Sequence, residues 1–343
     1  MKKIVIHKPG DYKQLAIEES ATPEPQDNEV LIKVSFIGIN YADVLIRWGV
    51  YSSAKEYVGW PITPGFELSG VVEKVGSMVT GFKAGDKVFG VTRFGAYTTH
   101  IALPEDFVFH LPKNLTLEQA AAFPAVYLTA YHALFHNIVI QKNAKILIHS
   151  CAGGVGSALL QLCRYMGYES IGIVGSSHKV EVAKKLGANH VIDKSTQDLW
   201  KEVEKISPAG YDVILDANGA STLKHSYEHL APSGKLMVYG FHSMLPKSGG
   251  RLNYLQLIWT YFKTPRFNPL DMTNKNKSLV TFNLSFLFDK KDIFRAAIIH
   301  LVELLETGKI TGPQTTSFAF ENVGEAHKAI ESGQTTGKIV LKC

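Results

Sequence analysis

Apolar and polar positions change their period along this chain. Up to about Asn114 they alternate in short runs: Glu29–Val34 and Gly70–Gly76 each set an apolar residue at nearly every second position, the mark of a half-buried strand. Turn residues at Pro9–Gly10, Pro64–Gly65, Gly81 and Ala84–Asp86 separate such runs, so a partly open barrel or sandwich is expected. Thr116–Gln119 reads as a capping box that opens a helix, which Pro124 interrupts. From Lys145 the period becomes one of strands at 145–150, 169–175, 190–193, 211–217 and 234–240, with helices at about 156–166, 178–186, 197–206 and 221–230. That alternation predicts an α/β fold with a doubly wound parallel sheet, and Ser278–Ser285 should form a strand at one of its edges. An amphipathic helix from about Asp292 to Glu306 and the strand Gly337–Leu341 return to mixed character. The expected domains are 1–121 with 292–343, and 122–291, the latter carrying an excursion at 241–277 that the β/α count does not need.

A chain of 343 residues suffices for two cores. Its 45% hydrophobic and 20% charged residues are ordinary for a soluble globular protein. The net charge is +5 with no dense Lys/Arg block, which excludes an obvious nucleic-acid groove. The amino end lacks the apolar run of a signal peptide, and no stretch approaches the roughly 18 apolar residues of a spanning helix. Three cysteines, Cys151, Cys163 and Cys343, make neither a disulfide framework nor a four-thiolate zinc site, and a cytoplasmic setting is expected. Within the excursion, Lys247, Arg251, Lys263, Arg266, Lys275 and Lys277 stand against Asp271, beside the apolar run Leu255–Phe262. It reads as a lid, as a segment packed on the sheet, or less simply as a basic contact with a membrane or partner.

The most telling run is Lys145–Leu162: an apolar strand, a glycine-rich turn, then a helix. Cys151, Gly153, Gly154, Val155 and Gly156 form a turn whose helix N-terminus suits a pyrophosphate, with Gly153 allowing close backbone approach and Gly156 close helix packing. Cys151 holds the first glycine position, either as an oxidisable thiol or simply as a small residue. An NAD-selective site carries an acid at the end of the next strand, about 20 residues on. Here Ser176, Ser177 and Lys179 follow that strand and Lys194 follows the next, so hydroxyls and cations favour the 2′-phosphate of NADPH.

Together with Gly38–Asp43, Arg47–Tyr51, Pro64–Glu67, Ala84–Asp86 and Thr336–Leu341, this turn resembles the zinc-independent quinone oxidoreductase (zeta-crystallin-like) branch of the medium-chain dehydrogenase/reductase superfamily. Within it the chain is most similar to the subgroup of the synaptic vesicle membrane protein VAT-1 homologue, and the resemblance runs over nearly the whole length. It implies a GroES-like β-rich catalytic domain plus a Rossmann domain. Zinc-bearing relatives place a His at the position of Phe66 and a Cys within the segment matching Asn40–Asp43; neither is present, so no metal is expected. The resemblance implies reduction of a quinone or an α,β-unsaturated carbonyl by hydride transfer from NADPH. Asn40 and Tyr51 would donate hydrogen bonds to the developing oxyanion, with Asp43 orienting their loop. Thr129 would approach the nicotinamide, and Asn218, Gly240, Phe241, Phe282, Leu284 and Lys338 are further cofactor contacts by resemblance. It also implies a homodimer paired through the sheet edge. Two other functions remain open: a dinucleotide-binding protein that mainly associates with a partner or membrane, and a trans-2-enoyl thioester reductase.

Overall fold

The computed structural model describes residues 1–244 and 252–343, so Lys247 and Arg251 of the excursion lie outside the described residues. It divides into two compact units, Met1–Leu128 with Ser285–Cys343, and residues 129–244 with Leu252–Leu284.

The first unit is built on a seven-stranded sheet in the order Thr315–Ala319, Lys338–Lys342, Glu29–Ile39, Glu67–Val75, Lys87–Val91, Val108–His110, with His100–Pro104 also on Glu29–Ile39. The alternation read in Glu29–Val34 buries Val30, Ile32 and Val34 in a core with Ile4, Ile37, Leu68, Val88 and Leu341. The carboxyl-terminal strand pairs antiparallel with the end of Glu29–Ile39, Ile339 opposite Ile39. That register sets Lys338 beside Asn40 although some three hundred residues of chain separate them. The capping box is present: Thr116 Oγ1 accepts from the Gln119 N–H at 3.2 Å and caps the helix Leu117–Ala121. Pro124 then opens the next helix, Pro124–Tyr131, where a missing N–H costs nothing.

The second unit is a six-stranded, wholly parallel sheet in the order His190–Asp193, Glu169–Val174, Lys145–Ile148, Tyr211–Asp216, Leu230–Val238, Ser278–Thr281. The order reverses between Lys145–Ile148 and Tyr211–Asp216, and in such sheets ligands bind beyond the carboxyl ends of the strands at that reversal. The glycine-rich turn and Asn218 both follow strands at this point.

Two strands differ from the periodicity. The fifth begins at Leu230 rather than 234, because Leu230 pairs with Tyr211 before a register shift. The edge strand ends at Thr281 rather than Ser285: Leu284–Leu287 turns into a 3₁₀ helix, in which the Ser285 hydroxyl donates to Ser53 Oγ at 2.8 Å. The excursion holds two helices, Tyr254–Lys263 and Pro269–Lys275. Phe267 between them packs on the core of the second unit, but Leu255, Trp259, Tyr261, Phe262 and Leu270 remain 62–80% exposed. Most of its apolar run is therefore not packed on the sheet. No helix among the described residues is long and apolar enough to cross a membrane.

Candidate active site

In the second unit the turn after Lys145–Ile148 leads into the 13-residue helix Gly154–Met166. Gly153 is its N-cap and offers no side chain, and the first intrahelical bond is Ser157 N–H to Gly153 O at 2.8 Å. The N–H groups of Gly154, Val155 and Gly156 thus have no partner within the helix and stand at its positive end. A Cβ on Gly156 would come within 2.5 Å of Cys151 Cα and Ser150 O, so only glycine lets the helix start this close to the strand. The buried Ser157 hydroxyl has no partner. These features fit a dinucleotide's pyrophosphate. Cys151 is fully buried, its Sγ 2.6 Å from where Gly172 would carry a Cβ, and burial pushes the thiol up to about 12. It is a packed small residue; the oxidisable reading is set aside.

Sequence reasoning named Asn218 but not what holds it. Asn218 Oδ1 accepts from Ser150 Oγ at 3.1 Å, and its Nδ2 donates to His149 Nδ1 at 3.2 Å. His149 therefore carries its proton on Nε2 and donates to Ser226 Oγ at 3.0 Å, while Ser226 donates to Asp216 Oδ2 at 3.0 Å. This buried chain ties the loop after the fourth strand to Ser150, which sits at φ 55°, a strained angle for a residue with a Cβ. A histidine ending an otherwise apolar strand was the available signal.

At the end of Glu169–Val174, Lys179 and Lys194 come near one another. Burial first, then the like charge of Lys194, lowers the Lys179 ammonium below its ordinary range, and Lys194 Cε lies 3.7 Å from where Gly175 would carry a Cβ. Two adjacent cations suit a phosphate dianion. Asp193, opposite Val174 in the sheet, brings a carboxylate there, which accepts from Ser177 Oγ at 2.5 Å and Ser195 Oγ at 2.6 Å. Ser177 is thereby bonded to Asp193, and Ser176 is the N-cap of the short turn that carries Lys179. Of the other residues, Thr129 lies in the helix Pro124–Tyr131, a Cβ on Gly240 would meet Ala217 O at 2.8 Å, and the exposed Phe241 lies over Gly219. Phe282 meets the His132 ring at 4.9 Å, and Leu284 opens the 3₁₀ turn.

In the first unit Asn40 caps the helix Tyr41–Arg47. Its N–H donates to Asp43 Oδ2 at 2.8 Å, and Asp43 Oδ1 accepts the Gly65 N–H at 3.0 Å. Tyr97 adds a third donor to the fully buried carboxylate. Asp43 is a loop anchor, as its turn position suggested. Asn40 Nδ2 donates to Glu67 Oε1 at 2.9 Å, while Oδ1 accepts from Lys338 Nζ at 2.9 Å. Lys338 is thus placed in this unit with its ammonium against Asn40, Ile39 O and Glu67. Tyr51 donates to Ser285 Oγ at 3.2 Å and lies edge-on to Phe66 at 6.0 Å. Phe66 also packs on Phe94 at 5.6 Å, and among the described residues no group of three His, Cys, Asp or Glu could hold a metal ion.

Burial pushes the Asp43 carboxyl from 3.8 up to about 7 against its three donors and Lys338. A folded-state value raised above the unfolded one stabilises fully below about 3.8 and loses that contribution as pH climbs through about 7. The difference in urea midpoint between wild type and Asp43→Asn should therefore move in favour of the variant across that window; a pH-independent difference would contradict it.

The family described as Alcohol dehydrogenase GroES-like domain matches residues 26–113, and that described as Zinc-binding dehydrogenase matches residues 186–341. The synaptic vesicle membrane protein VAT-1 homolog of Danio rerio is 33% identical over 97% of this chain and 68% of its own length. The crystal structure of Escherichia coli quinone oxidoreductase complexed with NADPH has a TM-score of 0.86 at 28% identity, covering 100% of both chains. That of the CurK enoyl reductase has a TM-score of 0.83 at 25% identity, covering 99% of this chain and 98% of its own. The chain belongs to the medium-chain dehydrogenase/reductase superfamily, in the group of the VAT-1 homologues, and is an oxidoreductase by family with a nicotinamide dinucleotide domain.

Proposed function

We propose that this member of the VAT-1 homologue group is an NADPH-dependent, zinc-independent reductase of quinones or α,β-unsaturated carbonyls. The observation that carries the reading is the open helix N-terminus at Gly154–Gly156 with the Lys179–Lys194 pair in the same sheet unit. Likeness to a quinone oxidoreductase complexed with NADPH supports it. The N–H groups of Gly154, Val155 and Gly156 take the pyrophosphate; Ser176, Lys179 and Lys194 take the 2′-phosphate. When bound, the reduced nicotinamide supplies a hydride, two electrons and one hydrogen, to the substrate carbon or quinone; one proton from water completes the hydroquinone or saturated carbonyl. Asn40 Nδ2 retains one N–H for the oxygen on which charge develops. Tyr51, whose hydroxyl hydrogen points to Ser285 Oγ, is the second donor once that hydrogen turns to the substrate oxygen. The reading includes a cytoplasmic setting, in keeping with the buried, unpaired Cys151 and Cys163.

Calorimetry should give NADPH at least about tenfold higher affinity than NADH, since about 1.4 kcal/mol, one charge-assisted hydrogen bond, suffices. Lys179→Ala should weaken NADPH about tenfold and leave NADH within about twofold. Equal affinities in the wild type, or equal losses in the variant, would sink the assignment.

We also propose a homodimer joined through the edge strand Ser278–Thr281, whose outer side no strand among the described residues pairs. Light scattering should give about twice 37.8 kDa; the monomer mass would contradict it. A second reading, a dinucleotide-binding protein that docks on a partner or membrane, is favoured by the exposed apolar residues of Tyr254–Lys263. NADPH binding without turnover of any quinone, enone or enoyl thioester would select it.

A further inference from the structure

Resting on the reading above, we propose that Lys338 and Glu67 form a buried ion pair whose role is to position Asn40 and to place a positive charge behind its amide. Lys338 Nζ lies 2.7 Å from Glu67 Oε1, with the two side chains 4% and 0% exposed. An ammonium only donates and a carboxylate only accepts, so the amide of Asn40 has one orientation: Oδ1 to Lys338 and Nδ2 to Glu67. One Nδ2 hydrogen is used by Glu67 and the other is left for a ligand.

The rest of the chain is arranged around this carboxylate. Glu67 Oε2 accepts the Ala125 N–H at 2.7 Å, and a Cβ on Gly38 would come within 2.4 Å of Oε1. Gly38 therefore leaves the carboxylate its room, and the pairing of Ile339 with Ile39 delivers the lysine. Stability alone does not account for the pair, because replacing a buried ion pair by apolar residues of similar volume is often neutral or stabilising. What the pair does that an apolar core would not is orient and polarise the amide. Charge developing on an oxygen bound to Nδ2 is then separated from the Lys338 ammonium by one polarised amide.

The test is the double variant Lys338→Met/Glu67→Gln, which removes both charges without stranding one. It should fold, bind NADPH within about twofold of wild type, and lose about a hundredfold in kcat with KM little changed. Unchanged kcat, or an NADPH affinity reduced tenfold or more, would overturn the proposal, the latter by returning Lys338 to the cofactor. Exchange of the Asn40 side-chain amide hydrogens, followed by NMR in the protein without cofactor, separates this proposal from the functional reading. The wild type should show protection that the double variant loses, whether or not either turns over a quinone; equal protection in both would overturn the positioning role. Should the double variant fail to fold, Lys338→Gln/Glu67→Gln keeps a donor at Asn40 Oδ1 while again removing both charges. It should show the same kcat loss with unchanged NADPH affinity, and wild-type kcat would overturn the proposal.

Discussion

Arg47→Met is expected to destabilise the protein by about 3–5 kcal/mol, the cost of leaving a buried charge without its partner. The Arg47 side chain is wholly buried, its NH2 group is 2.5 Å from Glu331 Oε1, and Glu331 is 1% exposed. The guanidinium also donates from Nε to Gly10 O at 3.2 Å and from NH1 to His327 Nδ1 at 3.3 Å, and it lies over the Tyr12 ring at 4.4 Å. Because arginine only donates, His327 must accept at Nδ1 and carry its proton on Nε2, which donates to the Tyr97 hydroxyl oxygen at 3.1 Å. Tyr97 is then free to donate to Asp43. A single donor sense thus runs from Arg47 to the anchor of the Asn40 loop, and methionine removes its origin. The urea midpoint should fall sharply for Arg47→Met and recover in large part in Arg47→Met/Glu331→Met, where no charge is stranded. A loss under about 1 kcal/mol in the single variant would show that Glu331 is not left uncompensated.

Gly156→Ala is expected to weaken NADPH binding about a hundredfold, through loss of roughly two charge-assisted hydrogen bonds from the helix terminus. The added Cβ meets backbone on both sides, Cys151 Cα and Ser150 O at 2.5 Å, so relief requires the turn itself to move. Gly153→Ala is the matched control, for its Cβ would meet only Ser150 O, at 3.3 Å, and its backbone is extended at φ −81°. Thermal melts of the two variants without cofactor should place Gly156→Ala well below Gly153→Ala. Equal melting of the two variants would remove the close-packing argument for Gly156.

Features that depend on neighbours along the chain were legible in the sequence. The strand–glycine–helix run around Gly153 and Gly156, the capping box at Thr116 and the helix start at Pro124 are local, and the strand–helix alternation from Lys145 gave the parallel sheet. What depends on register between distant strands was not. The antiparallel pairing of Ile339 with Ile39 puts the Lys338 ammonium on Glu67 and Asn40, partners that its own neighbours along the chain do not announce. The pairing of Asp193 with Val174 likewise brings Ser177 a carboxylate partner from another strand. Cys151 was ambiguous because its fit depends on Gly172 in the next strand. The edge strand was read too long because Phe282–Ser285 continues an apolar alternation although Ser285 leaves the sheet to meet Ser53.

The proposed reaction is hydride transfer from NADPH to a quinone or enone. Mixing the protein with NADPH and 9,10-phenanthrenequinone, and following the dihydronicotinamide absorbance, tests it most directly. Absorbance should fall well above the protein-free rate, with kcat/KM for NADPH at least about tenfold above that for NADH. A rate equal to the protein-free control across quinones, enones and enoyl thioesters would contradict it.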